Sequence, residues 1–190
     1  MTLNQKSLKI NYSASIFLNL CIYFFISSVI YYLFSLNINL LKLILLFSSF
    51  ILVFYLSSKN TDLLLQKMKL KNIIIVSKFF LGIITLTAAV LICNNFNLSS
   101  FYLYLLILFT ALLYAVLNKA YNIYYEKTND KNEAFKRKDL SFQYNLEKLL
   151  ILILATVTVV FIEVNLIPFI LLGTTVYYFL SAYINTFQEI

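Results

Sequence analysis

The chain has 190 residues, of which 62% are hydrophobic and only 12% charged; soluble domains carry about 25% charged residues, so a single water-soluble core is excluded and an integral membrane protein is expected. The net charge of +7 does not mark a nucleic-acid surface, because the basic residues sit between apolar runs, as topology signals do. There is no histidine, which removes the commonest general base and the commonest transition-metal ligand, and Cys21 and Cys93 fall at different expected depths.

Residues 1–11 form a short polar segment with Lys6 and Lys9. The apolar run 12–34 is the first expected span, long enough for a hydrocarbon core of about 30 Å. Ser13, Ala14 and Ser15 stand at the start of this run and not after its apolar part, the reverse of a cleaved secretory signal, so the span is read as uncleaved. Asn19 is its one strongly polar interior residue, suited to a helix-to-helix hydrogen bond or to a ligand. After an uncharged turn at 35–39 comes a second span at 40–56, with Lys42 near its outer boundary and able to snorkel to the headgroups.

The stretch 57–72 is the strongest orientation signal. It holds Lys59, Lys67, Lys69 and Lys71 against the single acid Asp62, and lysine is retained on the cytoplasmic side of short loops. The third span, 73–93, contains Gly82, which permits close approach of a neighbour, and Lys78, expected to snorkel inward. An uncharged connection at 94–100 leads to a fourth span at 101–117. A long polar cytoplasmic loop is expected at 118–141, opening with Lys119 and with Tyr121, Tyr124 and Tyr125 placed as an interfacial belt.

The run 149–162 is short for a span and 166–187 is long enough. A break at Glu163, Asn165 and Pro168 makes them two arms, the first completed from about residue 142, with Asn145, Glu147 and Lys148 at the inner boundary and Glu163 at the outer mouth. Gly173, Thr174 and Thr175 give the last arm a small packing face. The expectation is an all-α polytopic protein of six transmembrane helices, spans 12–34, 40–56, 73–93, 101–117, 142–162 and 166–187, in the cell membrane with both termini cytoplasmic. All of the fifteen basic residues except Lys42 then lie inside.

This order of features resembles the amino-terminal half of a major facilitator superfamily transporter, nearest the exporter branch. A short outer turn follows span one, a basic loop follows span two, and a longer loop joins spans four and five. The phrase ILLGTTVYYFLSAYI at 170–184 is similar to the end of span six in that branch. The family's loop after span two carries a glycine, then an aspartate and an arginine, then further basic residues. Here Asp62 stands at the glycine, Gln66 at the aspartate and Lys67 at the arginine, while Lys71 keeps a basic position. Lys119 stands at the basic position after span four, without the nearby proline.

The resemblance implies a substrate site between two six-helix halves. A single half needs a second half or a homodimer to complete it. Export of a small hydrophobic compound or peptide is the implied function, with Asn19, Thr85, Thr110, Thr156 and Thr158 as possible path-lining residues, beside Thr87 and Thr175. Each threonine can equally bond its own helix backbone. No Gly-rich phosphate loop is present, and no catalytic residue, metal site, cofactor or nucleic-acid partner is expected. A non-transporting accessory or immunity protein, or the membrane subunit of an ATP-driven exporter, are the alternatives.

Overall fold

The structure, a computed structural model, describes residues 3–36, 38–94, 99–128 and 150–187. These residues form helices joined by turns, without a strand. The helices are α1 (Leu3–Ser35), α2 (Leu40–Lys67), α3 (Leu70–Cys93), α4 (Ser99–Thr128), α5 (Leu150–Val160) and α6 (Ile167–Phe187), with a 3-10 turn at Val164–Leu166 before α6. Among the described residues five stretches are long and apolar enough to cross a membrane: Ile16–Ser35, Ile44–Lys67, Leu70–Cys93, Phe101–Ile123 and Val164–Thr186. The described part of α5 is apolar but shorter.

The helices overrun the expected spans. Most of the expected loop 57–72 is the last part of α2, which runs to Lys67. No glycine or proline interrupts residues 40–67, and Lys, Gln and Leu are good helix formers, so polarity here signals contact with water and not a loop. The helix stops where Met68 turns extended, at φ −125° and ψ 146°, and α3 restarts after Lys69. At the other end of α2, the Asn39 side chain accepts from Leu41 N–H at 3.1 Å and caps the first turn. The opening of the expected loop 118–141 is likewise helix as far as Thr128. Residues 129–141, and the expected start of the fifth span at 142–149 with Asn145, Glu147 and Lys148, lie outside the described residues.

The chain breaks between α5 and α6 at the residues expected to break it. The Glu163 carbonyl accepts Leu166 N–H at 2.8 Å, and Pro168 sits in the first turn of α6, where its missing N–H has no intrahelical partner to lose. Gly82 accepts a close neighbour: a Cβ there would lie 2.9 Å from the Phe179 ring. Gly173 does not pack. It faces outward with nothing within 4 Å of a Cβ, and Thr174 and Thr175 alone turn to the bundle.

Two core clusters give the helices their directions. At the basic end, beside the α2–α3 turn, Leu18 and Ile22 of α1 meet Ile74 of α3, Leu117 and Tyr121 of α4, and Tyr178 of α6. At the far end, Val29 and Leu33 of α1 meet Ala88 and Ile92 of α3, Leu103 and Ile107 of α4, and Leu171 of α6. Helices α4 and α6 therefore both run from the far end to the basic end, and the chain between them must return. Helix α3 packs on α6 and α4, α2 on α4, and α1 on α6 and α4; α1 also meets α5 where the Ser27 and Thr156 hydroxyls lie 3.4 Å apart. Exchanging α1 with α4, α2 with α5 and α3 with α6 carries this set of contacts onto itself.

Candidate functional site

Helix α3 buries a stripe at spacings of three and four residues, including Ile74, Ser77, Lys78, Leu81, Thr85, Ala88 and Ile92. Val76, Phe79 and Phe80 take the outward face. Lys78 thus falls among the core positions, and the expected snorkelling is corrected: the residue is 1% exposed. Its Nζ donates to Ser181 Oγ of α6 at 2.6 Å and lies 5.6 Å from the centroid of the Tyr121 ring of α4, within range of a cation–π contact. Tyr121 is therefore a buried partner of Lys78 and not part of an interfacial belt. The side chains of Tyr124 and Tyr125 lie outside those described. No carboxylate among the described residues pairs with Lys78.

Further polar groups share this end of the bundle. Asn19 is buried on α1, and its Oδ1 accepts from the Tyr114 hydroxyl of α4 at 2.9 Å. Asn19 Nδ2, Asn185 Nδ2 and the Tyr178 hydroxyl are buried without a hydrogen-bond partner among the described residues. Sequence reasoning missed Lys78, Tyr114, Tyr178 and Asn185 as a group. The available signal was periodicity, since Lys78 stands four residues from Ile74 and three from Leu81, both in the core, and Asn185 lies one turn beyond Ser181 on α6.

No protein-family model, curated protein or solved structure matches this chain. The site has to be read from its own geometry.

The residues expected to line a path are divided among three seams. Thr85 and Thr175 hydroxyls meet at 2.8 Å across α3 and α6, and Asn19 joins α1 to α4. Thr156 faces Ser27 between α5 and α1, while also bonding Leu152 O on its own helix at 2.8 Å. Thr110 is buried but bonds Leu106 O, Thr158 bonds Leu154 O, and Thr87 is exposed and bonds Ile83 O. Among the loop positions, two come together: Lys119 Nζ lies 2.7 Å from Asp62 Oδ1 and also donates to Ser58 O at 3.1 Å. This ties the end of α2 to α4. Gln66 lines a recess beside the pair with Lys69 and Ile123, Lys67 is exposed on the last turn of α2, and Lys71 sits half-buried on the first turn of α3.

An apolar cavity of about 220 Å³ opens on the face made by α1, α2, α4 and α5, between Tyr23, Ile26, Phe47, Phe50, Ile107 and Tyr114. Tyr114 belongs to this wall and to the basic-end cluster alike. A larger apolar recess, of about 680 Å³, opens on the outward face of α3 and α6 between Val76, Phe79, Phe80, Phe179 and Tyr183.

Proposed function

We propose that the chain is one six-helix half of a transport system of the major facilitator type, in the cell membrane with both termini cytoplasmic, exporting a small hydrophobic compound or peptide. The observation that carries this is the apolar cavity on the α1, α2, α4 and α5 face. Its volume, about 220 Å³, is below the roughly 300–1,000 Å³ of complete small-molecule sites, as suits one wall of a cavity that a second half or a second copy completes. Outward apolar side chains on α2, among them Leu45, Ile51, Leu52 and Tyr55, supply surface for lipid or for that partner.

Two further features support it. The exchange of helices one to three for four to six preserves the main contacts, the pattern expected of two three-helix units in an inverted repeat. The common direction of α4 and α6 supports a further crossing between them, to which the apolar α5 would belong. The lysine-rich end faces the cytoplasm by the retention of positive charge there.

Accumulation of an apolar fluorescent dye in cells tests the proposal. Cells making the chain with its second half are expected to hold less dye than cells making neither. Equal accumulation in both, with the protein present in the membrane, overturns transport.

A further inference from the structure

Among the described residues, the basic end of the bundle holds buried hydrogen-bond donors without acceptors. Lys78 carries three N–H bonds when protonated, and Ser181 Oγ receives one of them. The Nδ2 groups of Asn19 and Asn185, whose residues are 2% and 8% exposed, have no partner among the described residues, nor has the fully buried Tyr178 hydroxyl. Native proteins pair nearly all such groups, with water or a ligand where the chain supplies nothing. Among the described residues no carboxylate pairs with Lys78, and an intramembrane ammonium is strongly disfavoured unless a counter-charge meets it, so its position points to function.

We propose that this cluster binds the carboxylate of an amphiphilic monocarboxylate. Lys78 supplies the charge, and Asn185, one turn beyond Ser181 on α6, supplies an amide donor. Tyr114, two turns before Tyr121 on α4, lines the apolar cavity, to which the ligand's tail is assigned, and its hydroxyl donates to Asn19 Oδ1 at 2.9 Å. One cation balances one anion, whereas a phosphate dianion would leave a negative charge unbalanced among Leu18, Ile22, Ile74 and Leu117. Lys78 lies roughly two turns, about 12 Å, inside the start of α3, deeper than a lipid phosphate sits, so the ligand is a free carboxylate with its own tail. That this ligand is the exported compound rests on the transport function proposed above; its binding does not.

The full chain in phosphatidylcholine nanodiscs is titrated at pH 7 with radiolabelled decanoate, decanol and decyl phosphate. Decanoate is expected to bind saturably, Lys78→Met to weaken it at least about 30-fold, and Lys78→Arg to stay within a few-fold. Should Lys78→Met fail to fold, protection of Lys78 from an amine-reactive label by saturating decanoate, mapped by mass spectrometry, decides instead. The site is overturned by equal decanoate binding to Lys78→Met, by decanol binding as tightly as decanoate, by decyl phosphate binding more tightly, or by an unprotected Lys78. Loss of decanoate binding when phosphatidylglycerol replaces phosphatidylcholine assigns the site to a lipid headgroup and also overturns it. Binding without flux leaves this site standing and refutes transport; flux without binding does the reverse.

Discussion

The Asp62–Lys119 pair ties α2 to α4 at the basic end, and its strength can be worked out from its surroundings. The two charged atoms lie 2.7 Å apart, but the side chains are 62% and 27% exposed. Water therefore screens the pair, and exposed ion pairs contribute about 0.2–1 kcal/mol. Asp62→Asn is expected to cost about 0.5 kcal/mol. Lys119→Met also loses the bond to Ser58 O and should cost about 1–1.5 kcal/mol. The double variant then gives a coupling energy of about 0.5 kcal/mol in a cycle of reversible unfolding measurements in mixed micelles. Raising the salt to 1 M shortens the screening length to about 3 Å and should shrink the coupling further. A coupling above about 2 kcal/mol that salt leaves untouched would refute this account, because only a desolvated pair behaves so. A tie this weak holds the two helix ends together at rest and opens at little cost.

Gly82→Leu places a side chain where the Phe179 ring already stands 2.9 Å from the Cβ position, and should destabilise by about 1–3 kcal/mol through overpacking; Phe179→Ala in the same chain should recover most of that in unfolding measurements, and no recovery would show that the clash lies elsewhere. The Thr85–Thr175 hydrogen bond joins two helices in an apolar setting, where such bonds contribute about 0.6 kcal/mol on average. Thr85→Val should cost about that much, and adding Thr175→Val should cost little more, since both partners are then apolar; fully additive losses would argue that each hydroxyl acts only on its own helix. Cys93 is exposed and Cys21 buried, so with the orientation proposed above a water-soluble maleimide added to intact cells should modify Cys93 and spare Cys21 until the protein is denatured. Labelling of Cys93 only after permeabilisation would refute that orientation.

The apolar runs were legible because apolar length is the dominant signal in lipid: runs such as 73–93 and 166–187 became α3 and α6 nearly residue for residue. The break before Pro168 and the close approach at Gly82 were legible too, since both depend on the residue itself. Helix ends were not. Composition reports where water begins, and α2 continues into water for as long as Lys59, Gln66 and Lys67 tolerate a helix. The fate of Lys78 was hidden for a different reason. A lysine two turns from a span's end can either reach the headgroups or turn inward, and the choice is made by Ser181 and Tyr121, which are far away in the chain. The joining of Asp62 to Lys119 is non-local in the same way: each position was noticed, but their pairing depends on how α2 lies along α4.

Burial of polar groups is uneven along the bundle, and the unevenness bears on mechanism. In the far half Thr110 satisfies itself on its own helix, and the Ser28 and Tyr104 hydroxyls are buried without a partner among the described residues; Val29, Leu33, Ala88, Ile92, Leu103 and Ile107 fill the rest. In the basic half Lys78, Asn19, Tyr178 and Asn185 are buried together. Unpaired donors are disfavoured in hydrocarbon wherever they lie; among the described residues the basic half carries the amides of Asn19 and Asn185 and the Tyr178 hydroxyl, and the far half the hydroxyls of Ser28 and Tyr104. The cavity face of α1, α2, α4 and α5 touches both halves through Ile107 above and Tyr114 below. Under the transport function proposed above, a compound entering from the basic end would meet the amide donors first. On the same proposal the helices free to move are those lining the cavity face, because α3 and α6 are locked to each other by Lys78 on Ser181, Phe179 on Gly82, and Thr85 on Thr175.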